Sequence, residues 1–122
     1  MKLPFEYDEY SGVPIYHMID NNNGGLPVHI RRYKQKNMTT VLHGHDSIQI
    51  NYIAHGSLSH IINNSSHDLV KGDIFVIPPY VPHCLKFKTN CDCEVIELEF
   101  TPEFVFGSKA SMENIESIFD FA

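Results

Sequence analysis

The chain has 122 residues, of which 43% are hydrophobic and 20% are charged, a composition typical of one globular domain. Its formal net charge of −6 argues against direct nucleic-acid binding, because phosphate contacts need lysine and arginine side chains. No apolar run reaches the roughly 18 residues of a membrane helix, and the N-terminus has no signal-peptide pattern. We therefore expect a cytoplasmic protein without a membrane partner.

Short strand-forming segments, separated by glycine, asparagine and proline, follow one another along most of the chain. In order they are VPIYHMI, LPVHIRRY, SIQINYIAH, SLSHIIN, LVKGD, IFVIPP, HCLKFKT and CEVIELEF. These lengths and turn signals predict an all-β sandwich or barrel. The segment NNSSHD predicts a turn. At the end, SMENIESIFDFA (111–122) has apolar residues at helical spacing and predicts one short C-terminal α-helix.

Two further features have plain interpretations. The basic stretch from Arg31 to Lys36 predicts a solvated loop or a strand edge. Cys84, Cys91 and Cys93 lack the spacing of redox or zinc sites, so we expect free thiols.

The segment VLHGHDSIQINYIAHG, residues 41–56, places polar side chains at every second position. If it is a strand, one face carries His43, His45, Ser47, Gln49 and Asn51. The opposite face, with Ile48, Ile50 and Tyr52, is apolar and needs cover from the N-terminal strands, the C-terminal helix or a second subunit. From this segment alone, the polar face points either to water or into a barrel.

The segment KGDIFVIPPYVPHCLKF, residues 71–87, favours the barrel interior. IFVI is apolar on both faces, which indicates a buried strand. A proline-rich loop then leads to His83, whose face continues with the apolar Leu85 and Phe87. We therefore predict that His83 opens a strand facing a core.

Together these two segments resemble the two motifs of the cupin superfamily. The first motif is matched by His43, His45, Gln49 and Gly56, and the second by Gly72, Pro78, Tyr80 and His83. Gln49 stands where cupins usually have glutamate, and Tyr80 where the second motif has glycine. The resemblance covers roughly residues 27–100 and implies a double-stranded β-helix, the cupin jelly-roll barrel.

In cupins these motif positions bind a divalent metal, which implies His43, His45, Gln49 and His83 as the candidate ligands here. Imidazole nitrogen suits Zn, Ni, Fe or Cu, whereas an amide oxygen is a weaker ligand than a carboxylate. The alternative is a metal-free pocket, in which these residues with Ser47 and Asn51 bind a small polar ligand. Both interpretations stay open.

A narrower resemblance is to the N-terminal sensor domain of AraC-type transcription regulators, carried by HGHDSIQINYIAHG, GDIFVIPPYVPH and LEFTPEF. It implies a sensor barrel over 1–108, with LPFEYDEYSG as a possible arm, and the start of a dimerisation helix over 109–122. It also implies a sugar-like effector, a homodimer, and DNA binding through a helix-turn-helix domain outside these residues.

The alternative function is a metal-dependent cupin enzyme, of the dioxygenase or sugar isomerase class; a storage role would need a drier interior. No catalytic residue is identified, since Gln49 cannot act as a base. Glu97 and Glu99 share a face and could serve if they pointed inward, but we expect them outward because their apolar neighbours favour the core. The histidines outside the two motifs are expected at the surface: His17, His29, His55, His60 and His67.

Overall fold

The structure, a computed structural model, describes residues 12–18 and 26–107 together with the backbone of residues 5–7. The described elements are β1 (Phe5–Tyr7), β2 (Pro14–Tyr16), β3 (Val28–Gln35), β4 (Met38–Thr39), β5 (Gly44–His45), β6 (Ile48–His55), β7 (Ser57–Ile62), β8 (Ser65–Val70), β9 (Ile74–Ile77), β10 (His83–Phe87), β11 (Cys93–Phe100) and the helix α1 (Pro102–Phe106). The predicted helix over 111–122 and the domain boundary at 108/109 lie outside these residues.

Two four-stranded antiparallel sheets, ordered β3-β11-β6-β9 and β4-β10-β7-β8, form the barrel. A third sheet, β1-β2-β5, joins the N-terminal segment to the chain just after His43, with β2 parallel to β5. The predicted all-β barrel is therefore confirmed. No helix among the described residues is long and apolar enough to cross a membrane.

The turn between β7 and β8 is shorter than the sequence indicated. Asn63 and Asn64 have φ values of 52° and 62°, the left-handed pair of a tight two-residue hairpin turn. Ser65 already pairs with Ile62, so His67 lies within strand β8 and not in a loop. Of the predicted segment LVKGD, only Leu69 and Val70 lie in a strand, because β8 ends at Val70 and a turn follows.

One end of the barrel interior is an apolar core shared by both sheets. Its members are Ile53, Leu58, Phe75, Ile77, Leu85, Phe87, Cys93 and Val95. Gly56 closes this end with φ +78°, and a Cβ there would lie 2.4 Å from the Asp92 carbonyl oxygen. The glycine of the first motif is therefore required by both conformation and space.

The outer face of the β3-β11-β6-β9 sheet is also apolar. The register aligns Ile30, Leu98, Ile50 and Val76 in one row across its four strands. Ile48 is covered, whereas Tyr52 is 39% exposed and Ile30 is 67% exposed. Basic residues lie beside them at the edge of the sheet: Arg32 and Lys34 are on the edge strand β3 and Lys36 directly follows it, and all three are exposed as predicted.

Candidate ligand and metal site

Three histidines meet at the other end of the barrel. His45 lies in β5, His83 opens β10, and His43 forms a backbone bridge with His83 through hydrogen bonds of 2.9 and 3.0 Å. The ring centroids are 4.5 to 4.9 Å apart. One nitrogen from each ring lies within 4.8 Å of the other two. The structure thus brings together the three histidines that the motifs identify.

The proline-rich loop that delivers His83 turns at Tyr80. This residue has φ +65°, a conformation that costs a non-glycine residue about 1–2 kcal/mol. Its backbone N–H donates to the His45 carbonyl oxygen at 2.6 Å, which fixes the loop against β5. Tyr80 occupies the position of the second-motif glycine, and the backbone conformation explains why glycine suits it.

Backbone carbonyls orient two of the three rings. Nδ1 of His43 lies 2.6 Å from the Val41 oxygen, and Nδ1 of His83 lies 3.3 Å from the Val81 oxygen. Since a carbonyl only accepts, each Nδ1 carries the proton, and Nε2 is left as a lone-pair donor to a metal. This arrangement is common for histidines that bind metals.

Burial keeps the inner two rings neutral. Desolvation lowers the pKa of His45 to about 2 and that of His83 to about 3, and neighbouring histidines act in the same direction. Nδ1 of His45 is buried without a hydrogen-bond partner among the described residues. Neutral imidazole is the form that binds metals, so these rings need not lose a proton first.

Gln49 lies on β6 directly opposite Glu99 on β11. Its Nε2 donates to Glu99 Oε2 at 2.7 Å, and Ser47 Oγ donates to the same oxygen at 2.7 Å. Gln49 lines a cavity of about 220 Å³ together with His43, His45 and His83. The four candidate ligands therefore share one cavity.

A larger cavity of about 900 Å³ adjoins them. Its wall includes His43, His45 and Gln49, and also Tyr16, Arg31, Thr40, Glu97 and Glu99. The size and the mix of polar and apolar lining suit a small polar molecule.

The N-terminal segment contributes part of this wall. The Tyr16 ring packs edge-on against His43 with 5.5 Å between centroids. Asp46, directly after β5, accepts hydrogen bonds from the Met18 N–H at 2.9 Å and from His17 Nδ1 at 3.1 Å. β2 is thereby held at the cavity, whereas most of the predicted arm LPFEYDEYSG lies outside the described residues.

The prediction for Glu97 and Glu99 was wrong, because both carboxylates point into the barrel. Glu97 is 4% exposed and pairs with the Arg31 guanidinium, and Glu99 accepts the two bonds described above. Burial raises the pKa of Glu97, and Arg31 offsets part of that rise. Both faces of β11 are buried or half-buried, so alternation alone did not identify the inner one. The signal that could have identified it was the charged Arg31 on the neighbouring strand β3, which lies opposite Glu97.

His60 is a second correction. It was expected at the surface, but it is 4% exposed, with its ring 4.9 Å from Phe75 and 5.7 Å from His83. Nε2 of His60 is buried without a partner among the described residues, and desolvation lowers the pKa to about 4. His29, His55 and His67 are exposed as predicted, although His29 also lines the larger cavity. His17 is half-buried.

Two residues of the predicted ligand set lie deeper than the cavities. Ser47 is 0% exposed and its hydroxyl is bound to Glu99. Asn51 is 1% exposed, and its Nδ2 has no partner among the described residues. Neither residue lines the two cavities described above.

The donor set fits a divalent transition metal. Metal–nitrogen bonds are about 2.0–2.1 Å long, so nitrogens within 4.8 Å of one another reach one ion after small side-chain shifts. The unpartnered His45 Nδ1 and the carbonyl-oriented His43 and His83 agree with that use. Bound there, an ion would supply a Lewis acid beside the larger cavity.

Comparisons with known proteins agree with this geometry. The family model of the AraC-like ligand binding domain matches residues 23–119. Among solved structures, the chain is similar to a cupin-2 domain protein from Shewanella frigidimarina, with 23% identity and a TM-score of 0.55 over 61% of this chain and 71% of that one. No curated protein gives a significant match.

Two further structures extend the likeness. KdgF from Halomonas sp. has 24% identity and a TM-score of 0.56, covering 62% of this chain and 71% of that one. A predicted oxalate decarboxylase from Thermotoga maritima has 22% identity and a TM-score of 0.55, covering 59% and 64%.

At such low identity these structures establish the fold, so the protein is a cupin-type barrel with histidines lining its interior. The family match spans most of the chain. The chain belongs to the AraC-like ligand binding domain family, as the motif resemblance predicted.

Proposed function

We propose that this domain senses a small polar, sugar-like metabolite for an AraC-type transcription regulator, and that the effector binds in the cavity of about 900 Å³. The cavity is the observation that carries the proposal. Its wall combines apolar side chains with hydrogen-bonding groups from Glu99, Gln49 and Thr40. Hydroxyl groups of an effector both donate and accept hydrogen bonds, so they suit such a mixed set of groups.

The predicted ligand-binding residues remain part of this proposal: His43, His45, Ser47, Gln49, Asn51 and His83. His43, His45 and Gln49 would contact the effector directly, since they line the larger cavity. Ser47 would act through Glu99, to which it is hydrogen-bonded. We also propose that His43, His45, Gln49 and His83 hold a divalent metal, either Zn, Ni, Fe or Cu.

The domain would act in the cytoplasm as a homodimer, with DNA bound by a helix-turn-helix domain C-terminal to these residues. The apolar row on the outer face of the β3-β11-β6-β9 sheet supports an interface, because Ile30 is 67% exposed there. Sedimentation velocity at high micromolar concentration tests the dimer. A monomer under those conditions would contradict it.

A thermal-shift screen against sugars, sugar acids, polyols and amines tests the effector proposal. A true effector raises the melting temperature, because a ligand that binds only the folded state stabilises it. His45→Ala should abolish the shift, whereas His67→Ala, at an exposed histidine of β8, should retain it. Equal shifts in both variants would place binding outside the cavity and reject the proposal.

One observation supports the alternative, a metal-dependent enzyme of the dioxygenase or isomerase class. Glu97 and Glu99 line the cavity beside the histidines, and the raised pKa of Glu97 suits a proton-transferring group. Turnover of a bound sugar that Glu97→Gln abolishes would favour this alternative over sensing.

A further inference from the structure

Glu99 makes a contact that the cupin motifs do not describe. Two donors from β6 and the turn before it, Gln49 Nε2 and Ser47 Oγ, converge on its Oε2 at 2.7 Å each. Gln49 is 6% exposed and Ser47 is 0% exposed. Hydrogen bonds between buried groups and a carboxylate are among the stronger ones, so this contact constrains the Gln49 side chain.

The contact fixes which end of the Gln49 amide faces Glu99. A carboxylate only accepts hydrogen bonds, so the amide must present its NH₂ group to Glu99. The amide oxygen, Oε1, then points away from Glu99. Gln49 lines the smaller cavity with His43, His45 and His83. Oxygen is the atom of an amide that binds a metal, and it is the atom left available.

We propose that Glu99 is a positioning residue for the metal site, holding the Gln49 amide with its oxygen toward the three histidines. The carboxylate that cupins usually carry at the position of Gln49 thus stands one strand away, on β11. The proposal builds on the metal site proposed above and does not depend on which effector binds.

The same geometry explains why residue 49 is not a glutamate. A carboxylate there would meet the Glu99 carboxylate at hydrogen-bond distance, and one of the two would have to take up a proton. One amide and one carboxylate satisfy the contact in either order. The pair can therefore be exchanged without losing the hydrogen bond.

The first test is a Co²⁺ titration followed by visible absorption, whose bands report the ligands around the ion. In Glu99→Gln the Gln49 amide can flip, so its oxygen is no longer held away from residue 99. Loss of such an outer hydrogen-bond partner weakens metal binding about 10–100-fold. Glu97→Gln removes the same charge from the same cavity but leaves the Gln49 contact, so it should weaken binding less. Glu103→Gln, exposed on α1, should leave binding unchanged.

The second test is the exchange variant that combines Gln49→Glu with Glu99→Gln. It keeps the hydrogen bond with the roles reversed and supplies a carboxylate ligand, so it should bind Co²⁺ more tightly than the wild type and with shifted bands. Thermal melting without metal checks that each variant folds.

Two results would overturn the proposal. One is equal affinity and identical bands for Glu99→Gln and Glu97→Gln. The other is an exchange variant that binds no more tightly than Glu99→Gln. If the wild type takes up no Co²⁺, the metal site proposed above fails and the positioning role of Glu99 fails with it, whereas uptake by the wild type together with either of these two results rejects the role of Glu99 alone.

Discussion

The two ends of the barrel interior are built from the same strands but have opposite chemistry. Along β6 the inward side chains change from Gln49 and Asn51 to Ile53, and along β11 they change from Glu99 and Glu97 to Val95. β10 and β7 follow the same pattern, with His83 and His60 at one end and apolar residues at the other. The exception is β9, which contributes only apolar residues inward.

The difference shows how a small domain combines stability with a polar cavity. The apolar end buries close-packed side chains, which supply the main stabilising free energy. The polar end contains three buried nitrogens without partners among the described residues, on His45, Asn51 and His60. Such atoms cost stability, so they mark the end where a ligand would find unsatisfied groups.

The largest effect should come from the apolar end. Ile53 is 0% exposed, so Ile53→Ala should lower the free energy of unfolding by about 2–5 kcal/mol through lost burial and a residual cavity. Urea unfolding measures the loss. Ile74→Ala, at a residue 64% exposed on the neighbouring strand, should change stability by no more than about 0.5 kcal/mol. Similar losses for both would show that burial at the apolar end does not supply the main stabilising free energy.

A smaller effect of opposite sign should come from the polar end. Asn51→Leu replaces a buried amide, whose Nδ2 has no partner among the described residues, with an apolar group of similar size, so it should raise the free energy of unfolding by about 1 kcal/mol. The matched change Asn90→Leu, at an exposed turn residue, should leave stability nearly unchanged. A destabilised Asn51→Leu would show that the amide nitrogen has a partner in solution.

The smallest effect is a pH dependence at Glu97. Burial raises its pKa, and Arg31, Glu99 and His29 add smaller and partly opposing contributions. A carboxyl whose pKa is raised on folding favours the folded state at low pH, and that contribution is lost as the pH rises through the raised pKa. Glu97→Gln has no carboxyl group to ionise at this position. The difference in the free energy of unfolding between this variant and the wild type should therefore shift in favour of the variant from acidic to neutral pH. Urea unfolding across that range measures it, with Glu103→Gln as the control. Parallel profiles would contradict the prediction.

The sequence predicted those parts of the site that depend on local spacing. The sequence predicted that His45 and Gln49 share one interior, but it placed them on a single strand, whereas they lie on β5 and β6 with a bend at Asp46 and Ser47 between them. The proline-rich loop sets His83 at the start of β10, as predicted. Both inferences use only spacing within a short segment, which the chain itself determines. The free thiols and the exposed basic edge strand were predicted for similar local reasons.

The predictions that were wrong concern residues whose surroundings depend on pairing between distant strands. Glu99 meets Gln49 across a register that joins residues far apart in the chain, and no local pattern gives that register. β11 was misread because the outer face of its sheet is apolar as well, so hydrophobic alternation favoured the wrong side. The burial of His60 was missed for a related reason. The sequence around it on β7 does not reveal that its ring packs against Phe75 of β9.

The Gln49–Glu99 contact also limits the mutational routes open to this domain. Glutamine and glutamate codons differ by a single base, so the pair could be inverted by two point changes. The order matters, because a glutamate gained first at position 49 would put two carboxylates in contact, whereas a glutamine gained first at position 99 keeps a hydrogen bond. A lineage moving between the two forms would therefore pass through the double glutamine.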